Sequence, residues 1–329
     1  MNDTLDHAHA QRRKFRELLA RPKLTVMPGG FSPLYARMAE EIGFETFFIA
    51  GSQTAAFLYG VPDNGIIGLR EIAEHVRHVA ARAAIPILVD CDTGYGNAVN
   101  VTYAVEEIIR TGAAAMSLED QEAPKKSSTL AGRRCIPLDE ALGKIKAATA
   151  ARDALDPSFS ICARIDVLGA EGGTIEDAIK RGVAYATEGR ADLVWLNSVE
   201  TLDDCARACK AIPAPVLVIW GGPLPAPSPA EYERAGVRIA LYPTVAATSG
   251  MNAAWRVMND LYVRGPQAIY DYAAEMRAAP CGPANQAALV RQDRIRSIEE
   301  RFLTKEAQRD YDNTWGHASI LASEADKPH

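Results

Sequence analysis

An α/β fold, a (β/α)8 barrel of the TIM type with extra C-terminal helices, is what this 329-residue sequence predicts. Three observations carry the expectation. Short runs of apolar and β-branched residues recur along the chain, segments of helical periodicity separate them, and polar residues gather where the runs end. Near-continuous hydrophobicity marks strands covered on both faces, as in a parallel sheet. Strands alternating with helices imply βαβ units, and eight such units are the count of a barrel. An open doubly wound sheet is the competing architecture, but the turn after the first strand, "PGGFSP", lacks the GxGxxG spacing.

The predicted strands are "LTVMP" (24–28), "TFFIA" (46–50), "PILVD" (86–90), "AMSLE" (115–119), "SICARI" (160–165), "LVWLN" (193–197), "PVLVIW" (215–220) and "RIALYP" (238–243). Helical periodicity is clear in "GLREIAEHVRHVAARA" (68–83) and "LDEALGKIKAATAARDAL" (138–155). Further helices are expected around 266–278 and 284–304, beyond a barrel's needs. They either pack across the barrel bottom or form an arm exchanged with a neighbouring subunit. The chain thus divides into a barrel over 1–265, C-terminal helices over 266–304 and a polar, loose tail over 305–329.

Composition excludes several classes. Hydrophobic residues make up 48%, enough for a sizeable core. No run approaches the roughly 18 apolar residues of a membrane helix. The segment "MNDTLDHAHAQRRKFRELLARPK" has no apolar centre, so a secretory leader is not expected. The net charge is −6 with scattered basic residues, which argues against nucleic acid as a partner. Cys91, Cys135, Cys162, Cys205, Cys209 and Cys281 form no CxxC. Neither a zinc site nor a disulfide framework is expected, and a reducing cytoplasm fits.

Barrel active sites lie at the C-terminal ends of the strands. The strand exits here carry Gly51-Ser52, Asp90 and Asp92, Glu119-Asp120-Gln121, Arg164 and Asp166, Asn197, and Trp220-Gly221. Alternation along "VDCD" points Asp90 and Asp92 to one side and Cys91 to the other. Acids converging on one mouth repel in a low-dielectric pocket, and a hard, oxygen-preferring cation resolves that cost. Mg²⁺ fits, because it keeps several waters and takes one or two direct carboxylates. The alternative is that the two acids cap the following helix and pair with Arg164. A histidine mechanism is not expected, since His7, His9, His75, His78, His317 and His329 avoid the strand exits. His75 and His78 read as a solvated helix surface.

"DCDTGYGN" followed by "GAAAMSLEDQEAPKK" resembles the phosphoenolpyruvate mutase/isocitrate lyase superfamily. Its signature is a D-x-D-T-G-[YF]-G-N strand tip, then a strand ending in E-D-[KQ] before a mobile P-K loop. The likeness runs from "MPGGFSPLYARMAEEIGF" through "GVPDNGIIGLREI" to "RIALYPTVAATSGMNAA". The resemblance implies a barrel whose eighth helix is swapped between paired subunits, usually in a tetramer built as a dimer of dimers. It implies Mg²⁺ and a small-molecule substrate with an α-oxo or α-hydroxy carboxylate. It also implies that Asp90 and Asp92 bind the metal, with Asp63 and Glu119 holding metal-bound waters. Gly51 and Ser52 would cradle a substrate oxygen, and Arg164 would grip a carboxylate with its planar fork. An enolate of pyruvate type follows, and the group leaving it is a carbonyl fragment in the lyases or a phosphoryl group in the mutase branch.

The sequence departs from the lyase pattern in places. Lyases carry Lys-Lys-Cys-Gly-His in the loop, whereas "PKKSSTLAGRR" places Ser127 and Ser128 at the Cys-Gly pair. A hydroxyl is a far weaker acid than a thiol of pKa about 8.5. Cys135 is a candidate substitute. Gln121 takes the lyase form, while the loop serines and Asn197-Ser198 resemble the phosphonopyruvate branch. "TVAATSG" lacks the arginine that holds a further carboxylate, which disfavours isocitrate and methylisocitrate. The expected function is a Mg²⁺-dependent lyase or decarboxylase cleaving a C–C bond of a small 2-hydroxy or 2-oxo dicarboxylate. Ser127, Ser128, Gln121 and Arg164 are the catalytic candidates; Gly51, Ser52, Arg164 and Asn197 are the substrate-binding ones. P–C bond chemistry of the phosphonopyruvate hydrolase or phosphoenolpyruvate mutase type is the first alternative, and a catalytically reduced binding protein the second. Trp220 either narrows the pocket or packs.

Overall fold

Eight parallel strands pair in chain order and close, β8 returning to β1. They are β1 (Thr25–Gly30), β2 (Phe47–Ile49), β3 (Ile87–Asp90), β4 (Ala115–Glu119), β5 (Ser160–Ile165), β6 (Leu193–Val199), β7 (Val216–Trp220) and β8 (Ile239–Tyr242). Each predicted run supplies one strand. This is a computed structural model, and it describes residues 2–128, 130–277, 279, 281 and 283–310. Most of the predicted polar tail, with His317 and His329, lies outside the described residues.

The helices are α1 (Asn2–Ala20), α2 (Pro33–Ile42), α3 (Gly51–Thr54, continued by a π-helical turn over Ala55–Tyr59), α4 (Leu69–Ala80), α5 (Ala98–Arg110) and α6 (Leu138–Leu155). They continue as α7 (Ile175–Thr187), α8 (Leu202–Ala211), α9 (Pro229–Arg234), α10 (Val245–Arg264), α11 (Pro266–Arg277), α12 (Pro283–Leu289) and α13 (Asp293–Phe302). The chain forms two compact units that divide between Ala247 and Thr248. In the second unit the helix expected over 284–304 is broken. Arg291 adopts φ 54°, a left-handed conformation that ends α12 and separates it from α13.

Period-two alternation sorts each strand's residues between two cores. Ile87, Val89 and Cys91, like Met116, Leu118, Ile161, Ala163 and Ile165, pack outward with the helices. Leu88, Ala115, Cys162, Leu193, Trp195, Leu217 and Ile239 fill the barrel interior. Higher up, the inward positions belong to Asp90, Glu119, Arg164 and Asn197. The same pleat therefore makes the barrel apolar below and charged above.

The lower end is closed by α1, a helix whose apolar face is narrow within a polar segment. Phe15, Leu18 and Leu19, spaced to share one helix face, join the interior cluster. Arg12 donates to the carbonyls of Ala113 (3.1 Å) and Ile109 and pairs with Asp156. Arg16 donates to the carbonyls of Ser158 (2.9 Å) and Phe159 (2.8 Å). These carbonyls lie where the chain enters β4 and β5, so α1 is riveted to the bottom rim.

Candidate active site

Three adjacent strands build one wall of the upper mouth. Asp90 is the last residue of β3 and pairs in register with Ser117, and Glu119 at the tip of β4 pairs with Arg164 on β5. Arg164 in turn lies beside Trp195 of β6, its guanidinium carbon 4.6 Å from the indole centroid. Period two alone brings Asp90, Glu119 and Arg164 to the same side.

Past Asp90 the chain leaves the sheet. Asp92 has φ 47° and Gly94 φ 84°, where a Cβ would lie 2.6 Å from Val101 Cγ2. The tight turn folds the Asp92 carboxylate back beside that of Asp90. Gly51, at the start of α3, permits both: a Cβ there would sit 3.1 Å from Asp90 Oδ2 and 3.4 Å from Asp92 Oδ1. Its N–H donates to Asp90 Oδ2 (3.3 Å), and half-buried Ser52 follows it in the same helical turn. Helix α5 is capped by Asn97, which accepts from the N–H of Val99, so the two acids do not serve as its caps.

Arg164 is gripped on two sides. Its Nε lies 2.8 Å from Asp166 Oδ2, its Nη2 donates to Asp166 Oδ1 (3.1 Å), and its Nη1 lies 3.1 Å from Glu119 Oε2. Asp90 Oδ2 is farther, at 3.9 Å. Asn197, wholly buried, donates its amide to Asp166 Oδ1. Burial alone would push the Asp166 carboxyl up, but Arg164, Asn197 and Arg133 hold it below the usual carboxylate range.

Two loop cations enter this assembly, and neither was a sequence candidate. Lys125 is buried, with Nζ 2.6 Å from both Asp63 Oδ1 and Asp92 Oδ1 and 3.9 Å from Glu119 Oε1. Arg133 reaches Asp166 Oδ1 at 3.0 Å. Burial pushes Asp92 up to about 6 against the pull of Lys125, and it pushes Glu119 well up despite Arg164 and Lys125. Counted as ionised, the carboxylates of Asp63, Asp90, Asp92, Glu119 and Asp166 outnumber the cations Lys125, Arg133 and Arg164 by two, and the raised Asp92 and Glu119 reflect that excess. Neither Glu119 oxygen has a well-aligned hydrogen bond. Among the described residues no three His, Cys, Asp or Glu form a ready-made metal cage. The donor set is nonetheless all carboxylate oxygen, crowded and under-compensated by two charges, and that chemistry fits a hard divalent cation.

The remaining candidates fall around this centre. Gln121 is buried; its Oε1 accepts from the N–H of Lys126 (3.0 Å), and its backbone bridges to Cys135 across the base of the loop. Ser127 and Ser128 are half-buried just beyond Lys126, and the Ser127 carbonyl accepts from Leu130 (2.9 Å). Asp120 points the opposite way from Glu119 and accepts from Arg181 (3.0 Å), Tyr185 (3.0 Å) and Cys135 Sγ (3.5 Å). Burial, reinforced by Asp120, pushes the Cys135 thiol up, so it is held protonated on this outward network. Trp220 donates to the Pro223 carbonyl (2.9 Å) and meets Tyr232 edge-on, which is packing. The reading of His75 as solvated is corrected: half-buried, it bonds the Phe31 carbonyl, while His78 is exposed.

The structure is a closed (β/α)8 barrel with a buried acid cluster beside an arginine at its upper mouth. Comparison with known proteins makes this specific. The family described as phosphoenolpyruvate phosphomutase matches residues 15–262. A 2,3-dimethylmalate lyase of Eubacterium barkeri is 35% identical over 252 residues, covering 75% of this chain and 86% of that one. An oxaloacetate decarboxylase of Rhodopseudomonas palustris is 36% identical over 246 residues, covering 74% and 83%. A phosphonopyruvate hydrolase solved in complex with oxalate and Mg²⁺ superposes with a TM-score of 0.76 at 29% identity, over 89% of this chain and 99% of that one. The chain belongs to the phosphoenolpyruvate mutase/isocitrate lyase superfamily, and its relatives there include named lyases.

Proposed function

We propose that this protein is a carbon–carbon lyase or decarboxylase acting on a small 2-hydroxy or 2-oxo dicarboxylate. The observation that carries the reading is the pairing, on adjacent strands, of a charge-deficient acid cluster with a buried arginine fork. Asp90 and Asp92 are the residues to hold Mg²⁺, with Asp63 and Glu119 placed to fix its waters. When bound, Mg²⁺ supplies Lewis-acid stabilisation of the negative charge that builds on the substrate oxygen.

The chain's own residues do the rest. Arg164 binds the substrate carboxylate, because a planar guanidinium matches it bidentately. Trp195 beneath the guanidinium and Asp166 beside it fix its plane. The backbone N–H groups of Gly51 and Ser52, in the first turn of α3, are the donors for an oxygen that gains charge, with Gly51 exchanging its bond to Asp90 Oδ2 for one to the substrate. Asn197 holds Asp166 and so supports Arg164. When the C–C bond of a 2-oxo diacid breaks, its electron pair passes into the enolate and the carboxylate departs as CO2; a 2-hydroxy diacid would also give its hydroxyl proton to a carboxylate of the cluster as the carbonyl fragment forms. Ser127 and Ser128 sit on the loop that would cover the mouth, where exclusion of water protects the enolate. A serine is a poor acid for the final protonation. This favours substrates whose enolate takes its proton from water, as a decarboxylase allows.

The P–C reading keeps one observation in its favour, the serines and Asn197 in place of the lyase residues. Exposed Met251, Trp255, Met258 and Tyr262 repeat along one side of α10 and support association with a second copy, as in a swapped-helix dimer of dimers. No helix among the described residues is long and apolar enough to cross a membrane. Six free cysteines suit a cytoplasmic setting.

The test is product release from substituted malates, oxaloacetate and phosphonopyruvate, each with Mg²⁺ and with chelator. Mg²⁺-dependent release of a 2-oxo acid without phosphate is expected. Phosphate release from phosphonopyruvate alone would favour the P–C reading, and no turnover of any would favour a binding protein.

A further inference from the structure

Arg133 belongs to an exposed stretch of loop, with Ala131, Gly132 and Arg134 all open to solvent, yet it is itself 5% exposed. Its guanidinium crosses into the barrel mouth. Nη1 donates to Asp166 Oδ1 at 3.0 Å, and Nη2 approaches Ser198 Oγ at 3.5 Å. The path is open only because residue 169 has no side chain: a Cβ on Gly169 would lie 1.4 Å from Arg133 Nη2 and 2.1 Å from its Cζ. The backbone clamps the same spot, with Arg133 bridging to Ala170 and its carbonyl accepting from Glu171 (3.2 Å).

The consequence runs through Asp166. Asp166 meets both Nε and Nη2 of Arg164, and a carboxylate committed wholly to that guanidinium would neutralise the charge that an anionic substrate needs. Arg133 restores the balance and takes up part of Asp166's hydrogen-bonding capacity. Arg164 is then held by Asp166 without being fully neutralised by its neighbours.

We propose that Arg133, seated in the Gly169 notch, is a positioning residue that keeps Arg164 competent to bind the substrate carboxylate. This rests on the assignment of Arg164 to that role, and the experiment separates the two.

Oxalate is titrated calorimetrically into the Mg²⁺-loaded protein, well below its melting temperature, for Arg133→Met, Arg133→Lys, Gly169→Ala, Arg134→Met and Arg164→Met. Loss of a charge-assisted contact predicts oxalate affinity about 10-fold or more weaker in Arg133→Met. Gly169→Ala leaves Arg133 in the chain but fills its notch, so it should weaken binding similarly. Arg133→Lys should recover part of the loss, and Arg134→Met, an equal charge change on an exposed neighbour, should bind as the parent does. If Arg133→Met fails to fold, Gly169→Ala decides alone. Native oxalate affinity in a folded Gly169→Ala or Arg133→Met, whatever the change in melting temperature, would make Arg133 merely structural and overturn the proposal. Native affinity in Arg164→Met would overturn the assignment beneath it.

Discussion

The two ends of the barrel are made by the same alternating strands and have opposite chemistry. At the bottom, Phe15, Leu18 and Leu19 of α1 plug an apolar interior, and Arg12 and Arg16 satisfy the carbonyls of the rim. At the top, Asp63, Asp92 and Glu119 crowd around the Lys125 ammonium, Asp90 lies on the Arg164 side, and burial raises Asp92 and Glu119. The lower end is optimised for stability. The upper end keeps crowded, incompletely paired charge, a pattern common in functional constellations.

Substitutions should therefore separate the ends. The largest effect is expected for Asp90→Ala with Asp92→Ala, which should cost at least about three orders of magnitude in Mg²⁺ affinity, of the size that removal of a direct ligand pair implies. Calorimetric Mg²⁺ titration checks this, and the melting temperature should hold or rise, because like charges in a buried cluster are relieved. Phe15→Ala inverts the pattern. It should lower stability by about 3–5 kcal/mol, the usual cost of emptying a packed aromatic site, while the Mg²⁺ affinity of the folded fraction stays unchanged. Urea denaturation alongside the same titration would show it.

Arg164→Lys should raise KM by about 10-fold or more with little loss of fold, since an ammonium cannot reproduce a bidentate fork. Steady-state kinetics on whichever diacid turns over gives the number, and an unchanged KM would reduce Arg164 to a structural partner of Asp166.

The smallest effect belongs to Asp156 at the bottom rim. Burial alone would raise its carboxyl, but hydrogen bonds from Ser158 and the guanidinium of Arg12 hold it below the usual range. A carboxylate with a depressed folded-state pKa contributes stability that is present above its unfolded value, about 3.9, and lost as pH falls through the folded value. Asp156→Asn should therefore be less stable than the parent at pH 7, and the gap should close as pH falls through the depressed folded-state value of Asp156. Denaturation curves at several pH values would reveal a constant gap if the pair contributes no such linkage.

The same contrast governs what could be read from the sequence. β4 and β5 run over the residues predicted for them, because an apolar run bounded by polar residues has no other comfortable state. The site acids and Arg164 were legible for a related reason: a charge at the end of such a run must point somewhere, and period two says where. Asp120 could have been set apart from Glu119 by the same rule, since neighbours on a strand face opposite ways. Helix α1 was not legible, because its three core residues are diluted in a strongly polar segment. Lys125 and Arg133 were hidden more deeply. Their positions depend on the path of an irregular loop, which carries no periodicity, and for Arg133 on a missing side chain at Gly169, 36 positions away.

The central claim is that cation and carboxylate share one site at the upper mouth. Oxalate titrated into the parent protein with Mg²⁺ and again with chelator tests it directly. Saturable binding with Mg²⁺ is expected, disappearing on chelation and lost again in the Asp90→Ala, Asp92→Ala double variant. Binding of equal strength with and without the metal, unaffected by the double variant, would contradict it.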